Sequence, residues 1–375
     1  MSPVRATVTG TWPGHDAHQA AAATVQELGA PHLPVIPELP ARGPGTDPVG
    51  RTAIMLDELA VDLQPHGWRL TDTPGVDARR GATAWRADLN RVADAAGETG
   101  TDLEEIVLRV LGPLSLAARL WLPGGERALS DSGARRDVAD ALASGLAEQI
   151  RVVQSVTGAH RVTVVLDDPD AGRVLSGQVP TASGYRTVRS VPRVEARRAW
   201  TTVAGAVASS GSTGGTGVVF APGTDRDEGS PRWTDLALLV SESLPALNEQ
   251  LQDAATPPIR GLVLPVPQLE GPGADPGRWE IIAGWAEAGR TVVLGLDRPS
   301  SGMTAYAAVE ATLRALVQDW ERMGLDQGLL SQLVLRGPGM AETTPDRALE
   351  VTRAVVRGAE TLERMRVDGE LETRR

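Results

Sequence analysis

Residues 161–169 read Arg161-Val162-Thr163-Val164-Val165-Leu166-Asp167-Asp168-Pro169. The run from Val162 to Leu166 is apolar but for Thr163, and two acids and a proline stop it. A strand buried on both faces reads as such a run, whereas a half-exposed strand alternates. Strands of that kind lie in parallel sheets, and each needs a crossover, usually a helix, to carry the chain back. Working outward, seven similar runs occur at 5–10, 32–37, 106–111, 217–221, 260–266, 291–297 and 333–336. Helical patterns lie between them. The span 135–156 carries Val138, Leu142, Leu146, Ile150 and Val153 at helical spacing. Similar patterns occupy 15–28, 233–251, 279–288, 303–323 and 345–365.

Eight strands alternating with helices predict an α/β fold, a single (β/α)8 TIM barrel over residues 1–375, with 365–375 as a frayed tail. The chain has 375 residues, and a barrel needs roughly 250 before insertions. Two segments exceed the simple pattern. A mainly helical insertion at 50–101, containing Gly67-Trp68-Arg69-Leu70, lies between strands 2 and 3. A long loop at 170–192 follows strand 4, and 208–217 reads as a polar, glycine-rich loop. Long ordered loops of a compact domain are commonly functional.

Composition narrows the chemistry. Aromatic residues make up only 3%, so aliphatic side chains must fill the core. The formal net charge of -11 repels phosphate backbones and anionic lipid, which argues against nucleic-acid and membrane partners and for a small-molecule substrate. The chain has no cysteine, which excludes thiolate nucleophiles and thiolate metal ligands. It has no lysine either, which excludes Schiff-base chemistry. The first ten residues hold no apolar run, so no secretory leader is expected and the cytoplasm is the expected location.

Chemistry in a barrel belongs at the C-terminal ends of the strands. Strand 1 is followed by Thr9-Gly10-Thr11-Trp12-Pro13-Gly14, where Thr11 presents a hydroxyl. Strand 2 is followed by Pro37-Glu38-Leu39-Pro40-Ala41-Arg42-Gly43-Pro44-Gly45. Glu38 and Arg42 there either bind the two charged ends of an amino acid or pair with each other. Strand 3 ends in Gly112-Pro113-Leu114-Ser115, and strand 4 ends in Asp167-Asp168-Pro169. Adjacent acids at a buried strand end are costly to leave unpaired. They bind a cation or an ammonium group, or they cap the following segment.

These motifs, in this order, resemble the C-terminal catalytic domain of the cobalamin-independent methionine synthase family. That family reads roughly I-G-S-[FW]-P, G-E-x-x-R, G-P-[LV]-T and D-E-P. The stretch from Gly177 to Tyr185 looks like a loop of actinobacterial members. The resemblance implies a barrel, and methyl transfer from 5-methyltetrahydropteroyl-glutamate, a methylated folate, to the sulfur of homocysteine. It implies substrate binding by Thr11, Glu38 and Asp167, with Asp168 standing at the glutamate of D-E-P.

The family's reaction uses a zinc ion, which lowers the pKa of the homocysteine thiol. Its ligands are implied at an H-x-C after strand 5, a glutamate at strand 6 and a cysteine after strand 8. Aligned to that pattern, Val218 and Phe220 take the first two places and Pro338 the last, and no carboxylate follows strand 6 before Glu270. No cofactor is therefore expected, and the replacements predict an apolar patch at the mouth. Two readings remain. One is a methionine synthase-like methyltransferase. The other is a barrel of altered function that binds a small amino or carboxylic acid through Thr11, Glu38 and Asp167.

Overall fold

The computed structural model describes residues 3–210, 217–223, 233–241, 259–266, 276–300 and 302–368. Nine strands are present among them. In chain order they are β1 (Arg5–Val8), β2 (Ala60–Gln64), β3 (Gly67–Thr71), β4 (Glu105–Leu111), β5 (Arg161–Asp167), β6 (Gly217–Ala221), β7 (Ile259–Pro265), β8 (Thr291–Gly295) and β9 (Leu333–Gly337). Seven form one curled parallel sheet in the order β1-β9-β8-β7-β6-β5-β4. Every named ladder within it is parallel, as the unalternating runs require. The architecture is TIM-barrel-like.

The run at 32–37 behaves differently. It forms isolated bridges, Val35 with Val107 and, just beyond, Glu38 with Thr11. Leu33 N donates to Ala6 O and Glu38 N to Gly10 O on one side, while Ile36 N donates to Val107 O on the other. The segment thus bonds to both edges of the sheet, β1 and β4. Pro34 and Pro37 have no N–H, so a continuous ladder is impossible there.

Helices lie where the apolar spacing predicts them. They include Ala17–Glu27, Ser132–Thr157, Pro276–Glu287, Ala305–Arg322 and Pro345–Asp368, and a further helix, Arg193–Ser210, occupies a span for which the sequence predicts none. Asp16, Asp131 and Thr304 cap three of them by accepting from N–H groups of the first turn. The expected helix at 233–251 is present as Trp233–Ser241, and its remainder lies outside the described residues, as do the loop at 211–216, Glu270 and the end of the tail from 369.

The insertion is only partly helical. Helices Pro48–Ala53 and Val76–Thr99 flank an antiparallel hairpin of β2 and β3. Val61 and Trp68 are its buried side chains. The insertion docks on helix Ser132–Thr157 at Gly145, where a Cβ would lie 1.7 Å from the carbonyl oxygen of Met55. The loop after β5 begins with a short helix, Ala171–Ser176, and then makes a single antiparallel bridge between Pro180 and Thr187. Among the described residues no helix is long and apolar enough to cross a membrane.

Candidate functional site

Three of the four candidate residues meet at the C-terminal ends of the strands. Thr11 and Glu38 are bridge partners on adjacent segments, and Trp12 N donates to Glu38 O at 2.7 Å. Thr11 Oγ1 lies 3.4 Å from Thr9 Oγ1. Asp167 ends β5. Between Glu38 and Asp167 stands Arg109 of β4, which the motifs did not single out. Its Nη1 donates to Glu38 Oε2 at 2.7 Å, and its Nε donates to Asp167 Oδ2 at 2.7 Å. Both carboxylates hold the Arg109 charge against the cost of its burial and raise its pKa. The other carboxylate oxygens, Glu38 Oε1 and Asp167 Oδ1, accept no hydrogen bond among the described residues. Arg42 turns away and binds Asp88 at 2.6 Å.

Asp168 points the other way. It is 0% exposed. Its Oδ1 accepts from Ser115 N at 2.6 Å, and its Oδ2 accepts from Trp200 Nε1 at 2.8 Å. Burial pushes its pKa up from 3.8 to about 6, against the opposing hydrogen bonds from Ser115 and Trp200. Gly112 makes this possible, since a Cβ there would lie 2.5 Å from the Asp168 carboxyl carbon. Asp168 ties the start of helix Pro113–Arg119 to β5 and to helix Arg193–Ser210, the capping alternative that adjacent acids left open.

Two further arginines lie near the Glu38–Arg109–Asp167 group. Arg51 is buried, donates to Pro37 O at 2.8 Å, and stacks its guanidinium 4.5 Å from the Trp85 ring centroid. Arg336 of β9 is 8% exposed, and its guanidinium makes no hydrogen bond or ion pair among the described residues. Burial lowers its pKa to about 10, while Asp167 and Glu38 partly restore it. Arg109 and Arg336 line one end of a cavity of about 200 Å³ inside the curled sheet. Thr7, Val107, Val219 and Val334 line its middle, and Arg5, Glu105, Arg161 and Arg260 its other end. The sequence signal for Arg109 and Arg336 is the same: an arginine inside an otherwise apolar strand, Ile106-Val107-Leu108-Arg109-Val110-Leu111 and Leu333-Val334-Leu335-Arg336. A charge there is costly unless it has work to do.

The positions aligned with the family's zinc ligands are apolar, but the expected patch at the mouth is not what they form. Side chains alternate along a strand. On β6 Val219 faces the cavity, so Val218 and Phe220 face the helices. Phe220 meets Trp200 edge-on, with ring centroids 4.8 Å apart. The apolar pair belongs to the layer between sheet and helices. Only Pro338 stays near the mouth, next to Gly339, where a Cβ would lie 3.1 Å from Thr11 Oγ1. Among the described residues no group of three or more histidines and acids could hold a metal ion. The chain's donor set, without any cysteine, does not fit the zinc site that the resemblance implies.

No protein-family model matches the sequence. A comparison with curated proteins gives no significant match either. Among solved structures, the chain is similar to a B12-independent methionine synthase from Shewanella sp. W3-18-1 in complex with selenomethionine. The two share 12% identity over 98% of this chain and 99% of that one, with a TM-score of 0.52. Looser likenesses join it to a morphinone reductase variant in complex with tetrahydroNAD (13% identity, 90% and 81% of the chains, TM-score 0.41) and to the old yellow enzyme of Trypanosoma cruzi (11% identity, 89% and 84%, TM-score 0.44). At these identities the first likeness establishes a shared fold, the curled parallel sheet ringed by helices.

Proposed function

We propose that the protein is a methionine synthase-like barrel whose mouth binds a homocysteine-like amino acid. One observation carries the reading. Glu38 and Asp167 converge on the Arg109 guanidinium, and each keeps one carboxylate oxygen without a hydrogen bond. An ammonium group donates three hydrogen bonds and needs such acceptors. Thr11, whose backbone is bridged to Glu38, supplies a hydroxyl on the adjacent segment. The segment from Leu33 to Glu38, bonded to both sheet edges, takes the place of an eighth strand, and the single barrel domain spans the chain.

The reaction proposed by the likeness is methyl transfer from a methylated folate to the homocysteine sulfur. The residues of this chain do not fit the zinc ion that activates the thiol in that family, so no step is derived through it. That mismatch supports a second reading, in which the same amino-acid site operates without methyl transfer. One assay separates the two. Purified protein of measured zinc content is incubated with homocysteine and methyltetrahydrofolate, and methionine is quantified. Methionine formation that is lost in Asp167→Ala supports the first reading. Homocysteine binding without methionine supports the second, and no homocysteine binding contradicts both.

A further inference from the structure

Arg336 differs from every other arginine around the mouth. Arg109 is held by two carboxylates, Arg42 by Asp88, and Arg51 by the Pro37 carbonyl and the Trp85 ring. The Arg336 guanidinium has no hydrogen bond and no ion pair among the described residues, yet the residue is more than nine-tenths buried. An isolated buried guanidinium is expensive, and proteins ordinarily pair such a charge. Nearby charges do not cancel it. Arg336 and Arg109 act with Glu38 and Asp167, and Arg51 with Glu38, Asp88 and Arg42, so that four cations stand against three anions. The surplus sits beside a cavity of about 200 Å³, large enough for a small molecule's polar end. Water can hydrate a polar cavity of that size but brings no compensating charge.

We infer that Arg336 binds the carboxylate of a small ligand that enters between it and the Glu38–Arg109–Asp167 group. The neighbours suit that role. Asp167 and Glu38 lie close enough to act on the Arg336 charge, as does Arg109. A carboxylate on Arg336 therefore leaves the far end of a short molecule within the region of the two free acceptor oxygens. An α-amino acid has this polarity: one anionic group, one cationic group and a short separation. The choice of ligand rests on the amino-acid reading above, but the carboxylate site does not. Arg336 would set specificity by charge, accepting acids and zwitterions and rejecting simple amines.

Calorimetric titration of the full chain tests this with three probes: homocysteine, mercaptobutyrate (the same molecule without its amino group) and aminopropanethiol (without its carboxylate). Each is titrated into wild type, Arg336→Gln and Arg336→Lys. A charge-assisted hydrogen bond contributes enough that Arg336→Gln should weaken homocysteine and mercaptobutyrate about tenfold or more. Aminopropanethiol, which the Arg336 charge repels, should lose no affinity in Arg336→Gln and should gain some, and Arg336→Lys should recover part of the loss of the two acids. Thermal melts supply the second readout. If Arg336 held the fold together, Arg336→Gln would lower Tm. A ligand-binding guanidinium predicts an unchanged or higher Tm without ligand, and a rise in Tm with mercaptobutyrate that wild type shows and the variant does not.

Failures of the two readings look different. Wild type that binds mercaptobutyrate but not homocysteine retains the carboxylate site and sinks the amino-acid reading. Homocysteine binding that Arg336→Gln leaves intact sinks the carboxylate site and retains the amino-acid reading. Binding of neither probe overturns both.

Discussion

Arg109 bridges Glu38 and Asp167, 2.7 Å from each, although the three residues come from separate segments far apart in sequence. Removing the cation strands two carboxylates in a largely buried place. Breaking a buried pair in this way costs about 3–5 kcal/mol. Arg109→Ala should therefore lose that much stability in urea unfolding at neutral pH. Adding Glu38→Gln and Asp167→Asn to it should restore part of the loss, because no charge is then left unpaired.

Asp168 makes stability depend on pH in an unusual direction for an acid. Its pKa in the folded protein is raised, from 3.8 to about 6, by burial. The folded state thus favours the protonated form. Its contribution is full below about pH 4 and is lost as pH rises through about 6. The whole effect is about 3 kcal/mol. Asp168→Asn is neutral throughout, so its stability relative to wild type should improve by up to that amount between pH 4 and pH 7.5. Parallel pH profiles for the two proteins would rule the assignment out.

Phe220 faces Trp200 in the layer between sheet and helices, not the mouth. Phe220→Ala should cost about 3–5 kcal/mol by opening a core cavity. It should leave the affinity for homocysteine unchanged where the fold is still populated. A placement at the mouth predicts the reverse: a small stability loss and a large change in affinity.

Gly145 sets helix propensity against packing. Alanine is better than glycine in a helix by about 1 kcal/mol. The added Cβ would lie 1.7 Å from Met55 O, so either the backbone of the insertion or the helix must move. Overpacking of this kind costs about 1–3 kcal/mol. Gly145→Ala should therefore be destabilising, with hydrogen exchange faster in Met55 to Asp57, where Asp57 N now donates to Ala141 O.

Much of the fold was legible because parallel strands are apolar on both faces and the helices between them carry long apolar stripes. Residues 161–167 and 106–111 illustrate this: each run became a strand. The run at 32–37 has the same aliphatic character, but its prolines withhold the donors that a ladder needs. The hairpin of β2 and β3 was hidden inside a segment dominated by the helix from Val76. At the site, Thr11, Glu38 and Asp167 could be found because motif order places them at strand ends. Arg109 and Arg336 could not, because a motif search looks after a strand and these residues lie within one. The facing of Phe220 depended on strand parity, which shifts with a single residue of register.

The proposed amino-acid site is the Glu38–Arg109–Asp167 group. Isothermal titration of homocysteine into wild type, Glu38→Gln and Asp167→Asn tests it most directly. Saturable binding to wild type is expected, with one site per chain, weakened about tenfold or more by either substitution. Absence of binding to wild type, or equal affinity in all three proteins, would contradict it.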